Sequence, residues 1–179
     1  MEDLELLKYP VGRFKVPGSY TKDQLNGYIT ILEMFPEKLF STVEKLNSEQ
    51  LNTPYRPGGW TVIQVVNHCA DSHMNAIIRV KAALTEDRPT IKPYLQDLWA
   101  NLADGSMPIQ SSISILRGVH SRWTTVLKSL NEEQWLRGFI HPEKGKELSL
   151  KEATASYSWH CEHHLAHVVN LIKRMGWKQ

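Results

Sequence analysis

Residues 149–176 read SLKEATASYSWHCEHHLAHVVNLIKRMG, and this stretch carries the signals of a complete helix. Ser149 and Glu152 have the spacing of a capping box at its start. Lys173 and Arg174 stand where basic residues favour the last turn, and Gly176 follows as a stop signal. Apolar residues surround the centre of the stretch. The sequence therefore predicts one long and largely buried helix here.

The centre of this helix is rich in histidine, because residues 160–167 hold four of the eight histidines in the chain. At about 100° per residue, His160, His164 and His167 fall within about 60° of one another on one face. Imidazoles four residues apart lie close enough to share a divalent cation. His163 and His167 have the same spacing, so spacing alone leaves the choice of ligands open. Unpartnered buried imidazoles would each carry a desolvation cost, and the pattern therefore favours a transition-metal site.

Three further long helices are predicted before this one. They cover about residues 21–46, 61–86 and 108–130, and the first two open with capping boxes at residues 21–24 and 61–64. Pro36 lies inside the first pattern and predicts a kink or a break near it. Shorter helical pieces are expected at 95–104 and 131–138, and a loop or small hairpin at 139–148. We find no set of strands able to form a larger sheet.

Composition limits the class of protein. A chain of 179 residues is expected to form one domain, residues 1–179, with a sizeable core. Its 21 basic and 19 acidic residues are spread evenly, which argues against a nucleic-acid partner or a membrane partner. The N-terminus is acidic, no apolar run approaches a membrane span, and two cysteines cannot form a disulfide framework. We expect a cytoplasmic, all-α protein: a four-helix bundle with long connections.

Helical bundles build metal sites from facing helices, and the second predicted helix offers His68. Gln64, Asp71 and other polar residues lie within about 60° of the direction of His68, although the rest of that helix is apolar. The alternative is that His68 is a hydrogen-bonded structural histidine. His73 points about 140° away from His68. We therefore expect His73 on another face, and we expect the His73→Ala variant to keep the metal.

Three motifs resemble those of a known family. They are YRPGGWT at 55–61, HCADSHMN at 68–75 and WHCEHHLAH at 159–167. In this order they resemble the DinB-like metalloenzyme superfamily, and within it the YfiT-type proteins of Bacillus-like bacteria, from about residue 9 to residue 177. The resemblance implies one divalent metal ion per chain, held by His68, His160 and His164. Zinc and nickel both suit these ligands. The resemblance also implies a homodimer.

Four other residues are candidates for the surroundings of the metal. His167 is a reserve ligand or a hydrogen-bond donor to a ligand. Asp71 either orients a ligating imidazole through its second nitrogen or is simply solvated or paired with an arginine. His141 either reaches the mouth of the pocket or is a solvated loop residue. Arg56, together with Trp60, either forms the rim of the pocket or packs its loop onto the bundle.

Other residues near the motifs are not expected to be ligands. Cys69 and Cys161 each follow a proposed ligand by one residue, which turns them about 100° away from it, and free cysteine is usually a small buried apolar residue. Glu162 lies about 160° from the His160 and His164 face. No carboxylate can therefore be named as a general base. His120 is a further candidate for the pocket.

Three neutral histidines leave coordination positions open, which is typical of catalytic rather than structural sites. A bound metal would lower the pKa of water toward about 7 or bind a thiol as thiolate. The resemblance to YfiT-type proteins implies a metal-dependent hydrolase acting on a small-molecule substrate. Other members of the superfamily imply the alternative of an S-transferase for a low-molecular-weight thiol such as bacillithiol. A non-catalytic metal-binding module, closed by His167 as a fourth ligand, is the third hypothesis.

Overall fold

The computed structural model describes residues 4–178, and long helices dominate it. In chain order the helices are α1 Leu4–Lys8, α2 Lys22–Val43, α3 Ser48–Leu51, α4 Val62–Thr85, α5 Gln96–Trp99, α6 Ile109–Lys128, α7 Glu132–Leu136 and α8 Leu150–Met175. Helix α2 packs against α6 and α8, and α4 packs against the same two helices. The four long helices thus close into a ring, and the predicted four-helix bundle is confirmed.

Capping residues set where the long helices begin. Thr21 and Gln24 form a reciprocal capping box at the start of α2, and Thr61 and Gln64 form another at the start of α4. Helix α8 differs from the prediction. Ser149 Oγ accepts a hydrogen bond from the backbone N–H of Glu152 at 3.1 Å, but the carboxylate of Glu152 accepts Lys146 Nζ at 2.7 Å instead of returning to Ser149. Only half of this capping box forms.

Helix α2 continues past Pro36, so of the two predicted alternatives, a kink or a break, the break does not occur. The helix runs on to Val43, and Phe35 and Leu39 on either side of the proline are buried. Proline has no N–H, so the carbonyl of Leu32, four residues earlier, loses its usual partner in the helix. That carbonyl instead accepts a hydrogen bond from the ring of His120 on α6. The loss of one helical hydrogen bond is therefore offset by a contact between helices.

A small hairpin covers one end of α4. Strands β1 Gly138–His141 and β2 Lys146–Ser149 pair antiparallel with Gly138 opposite Ser149. This agrees with the loop or small hairpin predicted for 139–148. The carbonyl of Ile140 accepts the backbone N–H of Ile91 at 3.0 Å, which ties the hairpin to the segment after α4. Among the helices of residues 4–178, none combines the length and the apolar character needed to cross a bilayer.

Candidate metal centre

Three histidines from two adjacent helices converge inside the bundle. His68 lies on α4, and His160 and His164 lie one turn apart on α8. One ring nitrogen from each lies within 4.8 Å of the others, and His68 Nε2 is 3.2 Å from His160 Nε2. Two nitrogens bound tetrahedrally to one zinc ion at about 2.0–2.1 Å stand about 3.3 Å apart. The spacing therefore fits a transition-metal ion.

The three imidazoles are neutral at pH 7. Burial lowers the pKa of His68 to about 4, and it lowers the pKa of both His160 and His164 well below the ordinary histidine value. The neighbouring histidines disfavour protonation of these rings further. A neutral imidazole keeps one nitrogen lone pair available for a metal. Each of the three rings is thus uncharged before any ion binds. Imidazole nitrogen is a ligand that suits zinc, nickel and related ions.

The three histidines line an open pocket of about 480 Å³. Its other walls come from the N-terminal segment, the loop of residues 55–60, two residues of α5 and neighbouring side chains of α8. Pockets of about 300–1,000 Å³ are typical of small-molecule sites. A molecule of that class can therefore reach the proposed ligands.

The glycine-rich loop before α4 forms an aromatic wall. The ring of Trp60 lies 4.5 Å from that of His68, centre to centre, and Tyr55 stacks on His167 at 3.9 Å. Gly59 is required for this path, because an added Cβ would lie 2.7 Å from Cγ of Arg56. Arg174 near the end of α8 donates to the carbonyl of Tyr55 at 2.7 Å and holds the loop down. This explains why the YRPGGW motif accompanies the histidines.

The N-terminal segment forms another wall of the pocket, which no sequence motif predicted. His167 Nε2 donates to the carbonyl of Lys8 at 3.1 Å, and Trp159 Nε1 donates to the carbonyl of Gly12 at 3.0 Å. Tyr9 packs beside His163, with 5.9 Å between ring centres. The segment therefore lies directly over the histidine face of α8.

His167 does not join the group formed by His68, His160 and His164. It belongs to a second group with His163 and His164, whose nearest ring nitrogens also lie within 4.8 Å of one another. Because Nε2 of His167 donates to Lys8, its Nδ1 must carry the lone pair. Burial lowers the pKa of His167 to about 3 and that of His163 to about 4. His167 thus lies beside the three-histidine centre and is not a fourth member of it.

His73 makes contacts that the sequence did not predict. It is fully buried, and its Nε2 lies 3.1 Å from Nδ1 of His160, so it contacts a proposed ligand directly. Its Nδ1 lies 2.8 Å from Nε2 of His120, which is buried on α6 and is not a pocket residue of the metal centre. The expectation is that His73 lies on another face of α4 than His68; it does not include a contact between that face and His160. Helix α4 packs against both α6 and α8, and His73 lies where it can contact both.

The remaining polar candidates lie farther from the centre. Asp71 is half-buried, and burial followed by the charge of Asp104 raises its pKa to about 6. The second nitrogen of His160 faces His73 and not Asp71. His141 lies at the end of β1 beside a cavity of about 150 Å³ that His160 also borders. Arg56 lines the main pocket and donates to the carbonyl of Pro57 at 2.9 Å, so it serves both the rim and the loop.

The two cysteines and Glu162 lie outside the three-histidine centre. Cys69 and Cys161 are buried, and burial raises the pKa of both thiols, which keeps them protonated. Cys161 Sγ and ring nitrogens of His73 and His120 form a separate group whose atoms lie within 4.8 Å of one another. Glu162 is exposed on the outer side of α8. These residues therefore leave the three-histidine centre unchanged.

A helical bundle with an open pocket lined by inward-facing histidines defines a class of metal-binding helical proteins. Comparison with known families places the chain more narrowly. The DinB superfamily matches residues 31–168, and the chain belongs to that superfamily. The family resemblance stated from the three motifs is thereby confirmed.

Individual relatives cover nearly the whole chain. YfiT of Bacillus subtilis is 46% identical over 172 residues, which cover 96% of this chain and 97% of that protein. A protein of Oceanobacillus iheyensis is 47% identical over 170 residues, covering 95% and 98%. Both bear the name "Putative metal-dependent hydrolase". The solved structure of Bacillus subtilis YfiT matches this chain with a TM-score of 0.94 and 45% identity. The match covers 97% of this chain and 99% of that one, and that structure is described as having "an unusual four-helix bundle topology".

Proposed function

We propose that the protein is a metal-dependent hydrolase that holds one divalent ion, zinc or nickel, with His68, His160 and His164. The convergence of three neutral imidazoles on a pocket of about 480 Å³ carries this proposal. When bound, such an ion supplies Lewis acidity and a water molecule whose pKa is lowered toward about 7. The names of the relatives agree with this reaction class.

The chain itself supplies the surroundings for the reaction. Trp60 packs on His68, and Tyr55 stacks on His167 beside the three proposed ligands. These two rings keep bulk water from that side of the pocket. Lys8 and Arg56 bring positive charge to the pocket wall, whereas Asp97 brings negative charge near α5. We infer that the small-molecule substrate carries an anionic group that the two cations attract.

An open centre favours catalysis over a purely structural role. A closed coordination shell would need a fourth ligand from the protein, and His167 is the candidate for that fourth ligand. Its Nε2 donates to the carbonyl of Lys8, and it lies outside the His68, His160 and His164 group. We therefore place the fourth coordination position toward the pocket, where water or substrate can enter.

An S-transferase reaction is the second candidate function, and Lys8 and Arg56 on the pocket wall are the observation in its favour. Low-molecular-weight thiols such as bacillithiol carry carboxylates, which two cations would attract. Under this alternative the thiol, bound as thiolate, replaces water as the nucleophile. The same pocket would then accept two small molecules.

The first prediction separates these reactions. Metal-loaded protein is expected to convert ester or amide substrates without a thiol, and its rate should rise with pH between about 6 and 8 as the bound water ionises. Chelation should abolish turnover, and zinc or nickel should restore it. Mass spectrometry of products formed with and without bacillithiol checks the reaction. Thiol-dependent thioether formation would assign the transferase, and no metal-dependent turnover of either kind would contradict both proposals.

The second prediction concerns assembly. We propose that the chain forms a homodimer, and the exposed side chains Leu98, Trp99 and Leu102 are candidates for the interface because they form an apolar stretch beside the pocket. Trp135 is buried and is therefore not a candidate for this interface. Light scattering should give twice the mass of the chain, and a monomer would contradict the proposal. The single domain and the cytoplasmic location stay predictions.

A further inference from the structure

A line of buried imidazoles runs from the metal centre to the far side of the bundle. His160 Nδ1 lies 3.1 Å from His73 Nε2, and His73 Nδ1 lies 2.8 Å from His120 Nε2. His120 Nδ1 then contacts the carbonyl oxygen of Leu32. The line therefore joins α8, α4, α6 and α2 in turn, and it ends on a backbone atom.

That backbone atom sets the direction of every hydrogen bond in the line. A carbonyl oxygen only accepts, so His120 Nδ1 must be the donor, and its Nε2 must carry the lone pair. His73 Nδ1 must then donate to His120, which leaves the lone pair of His73 on Nε2. His160 must donate through Nδ1 in its turn. Pro36 is the origin of this order, since its missing N–H leaves the Leu32 carbonyl without its helical donor.

The order requires each ring to be neutral, with one N–H and one lone pair. Burial lowers the pKa of His73 well below the ordinary value and that of His120 to about 4. His73 and His120 are at most 1% exposed. The rings against them are also uncharged, among them Phe35, Trp123 and Tyr157. The hydrogen bond from His120 to the Leu32 carbonyl favours the charged form of that ring, but the opposing effect of burial is larger.

We propose that His73 and His120 are positioning residues that fix His160 as the tautomer with the proton on Nδ1, so that its Nε2 lone pair points at the metal centre. This inference rests on the proposed function only in taking His160 as a metal ligand. Ligating histidines usually hold their second nitrogen with a carboxylate or a carbonyl. Here the imidazoles of His73 and His120 lie between the ligating histidine and the Leu32 carbonyl, and their hydrogen bonds fix the tautomer in the same way.

The proposal also assigns the contact between His68 and His160. With the Nε2 lone pair on His160, the 3.2 Å contact requires His68 Nε2 to be the donor in the metal-free protein. Binding a metal through Nε2 would then require the His68 proton to move to Nδ1. His160 needs no such change. The two proposed ligands thus differ in whether they need a change of tautomer before a metal binds.

Nitrogen NMR tests this assignment without any metal or substrate. In metal-free protein with ¹⁵N-labelled histidine, long-range ¹H–¹⁵N correlations distinguish protonated from unprotonated ring nitrogens. We expect His73, His120 and His160 to carry the proton on Nδ1, and His68 to carry it on Nε2. Signals are assigned by their loss in single His→Gln variants. A proton on Nε2 of His160 would overturn the proposal, whether or not the protein proves to be a hydrolase.

Metal affinity gives the second test. His73→Leu removes the acceptor for His160 and is expected to weaken zinc binding by about 10- to 100-fold, the usual effect of losing a partner of a ligating histidine. His73→Gln places a carbonyl near the former Nε2 and should restore affinity to within a few-fold of the unchanged chain. Thr154→Val is the matched control, because Thr154 is equally buried, lies on α8 and donates its hydroxyl to the carbonyl of Leu150 on the same helix.

The outcomes of the affinity test are distinct. Equal zinc affinity in the His73→Leu variant and the unchanged protein would overturn the positioning role. So would equal losses in His73→Leu and His73→Gln, because these would reflect packing alone. If His73→Leu does not fold, the tautomer of His160 in the unchanged chain decides the proposal.

Discussion

His160→Ala and His164→Ala are each expected to abolish retention of the divalent metal and, with it, turnover. Each variant leaves two nitrogen ligands, which are too few to retain an ion while the protein is purified and diluted. The loss should also appear as lower stability, because a ligand present at about 1,000 times its dissociation constant stabilises the fold by about 4 kcal/mol. Elemental analysis of purified protein and thermal unfolding with and without chelator measure both effects. His68→Ala should lower activity by more than about tenfold.

Glu162→Ala is the matched control for these variants, because Glu162 lies between the two ligands in sequence but is exposed on the outer side of α8. It should keep one metal ion per chain and the same thermal midpoint. Normal metal content in the His160→Ala and His164→Ala variants would show that other residues bind the ion. If only the His160→Ala variant keeps its metal, the second histidine group, formed by His163, His164 and His167, would be the first alternative.

Acid is expected to unfold the metal-free protein well above the pH at which its carboxylates protonate. In the unfolded chain a histidine takes up a proton near its ordinary pKa of 6.5, whereas burial lowers the pKa of His68 and His120 to about 4 in the folded chain. The unfolded state therefore binds more protons between these values, and the free energy of unfolding falls as the pH falls from about 6.5 to about 4. Each such histidine contributes about 3 kcal/mol.

This loss is large against a total stability of about 5–15 kcal/mol for a typical domain. Urea unfolding of metal-free protein at a series of pH values, followed by circular dichroism, measures it. The stabilisation by neutral histidines should be complete above pH 6.5 and should disappear by about pH 4. Metal-loaded protein should unfold at lower pH, since the bound ion opposes protonation of its ligands. A stability that stays constant from pH 7 to pH 4.5 would contradict the prediction.

The elements that sequence predicted correctly are those with local causes. Reciprocal capping at Thr21 and Thr61 begins α2 and α4, and apolar spacing carries both helices to their ends. His68 was proposed from its polar stripe, and the structure places it against His160 and His164. Their choice over His163 and His167 came from the family resemblance, because spacing could not distinguish the two pairs.

The features that the sequence did not predict depend on contacts between residues far apart in the chain. An angle on a helical projection says on which side of α4 His73 lies, but it does not say which neighbouring helices meet there. Glu152 has the right spacing for a capping box, yet Lys146 across the hairpin competes for its carboxylate. The wall formed by Lys8 and Gly12 uses backbone carbonyls, which every residue possesses. No pattern of side chains could have indicated that wall.

The pocket draws its walls from both ends of the chain, and this has a consequence for protein synthesis. Lys8 and Tyr9 leave the ribosome before His68, and His160 follows 92 residues after His68. A nascent chain can therefore form α2 and α4 early, but it has a single proposed ligand until α8 is complete. Contacts this distant in sequence form late in folding. Metal binding by all three proposed ligands must then wait until α8 has been synthesised.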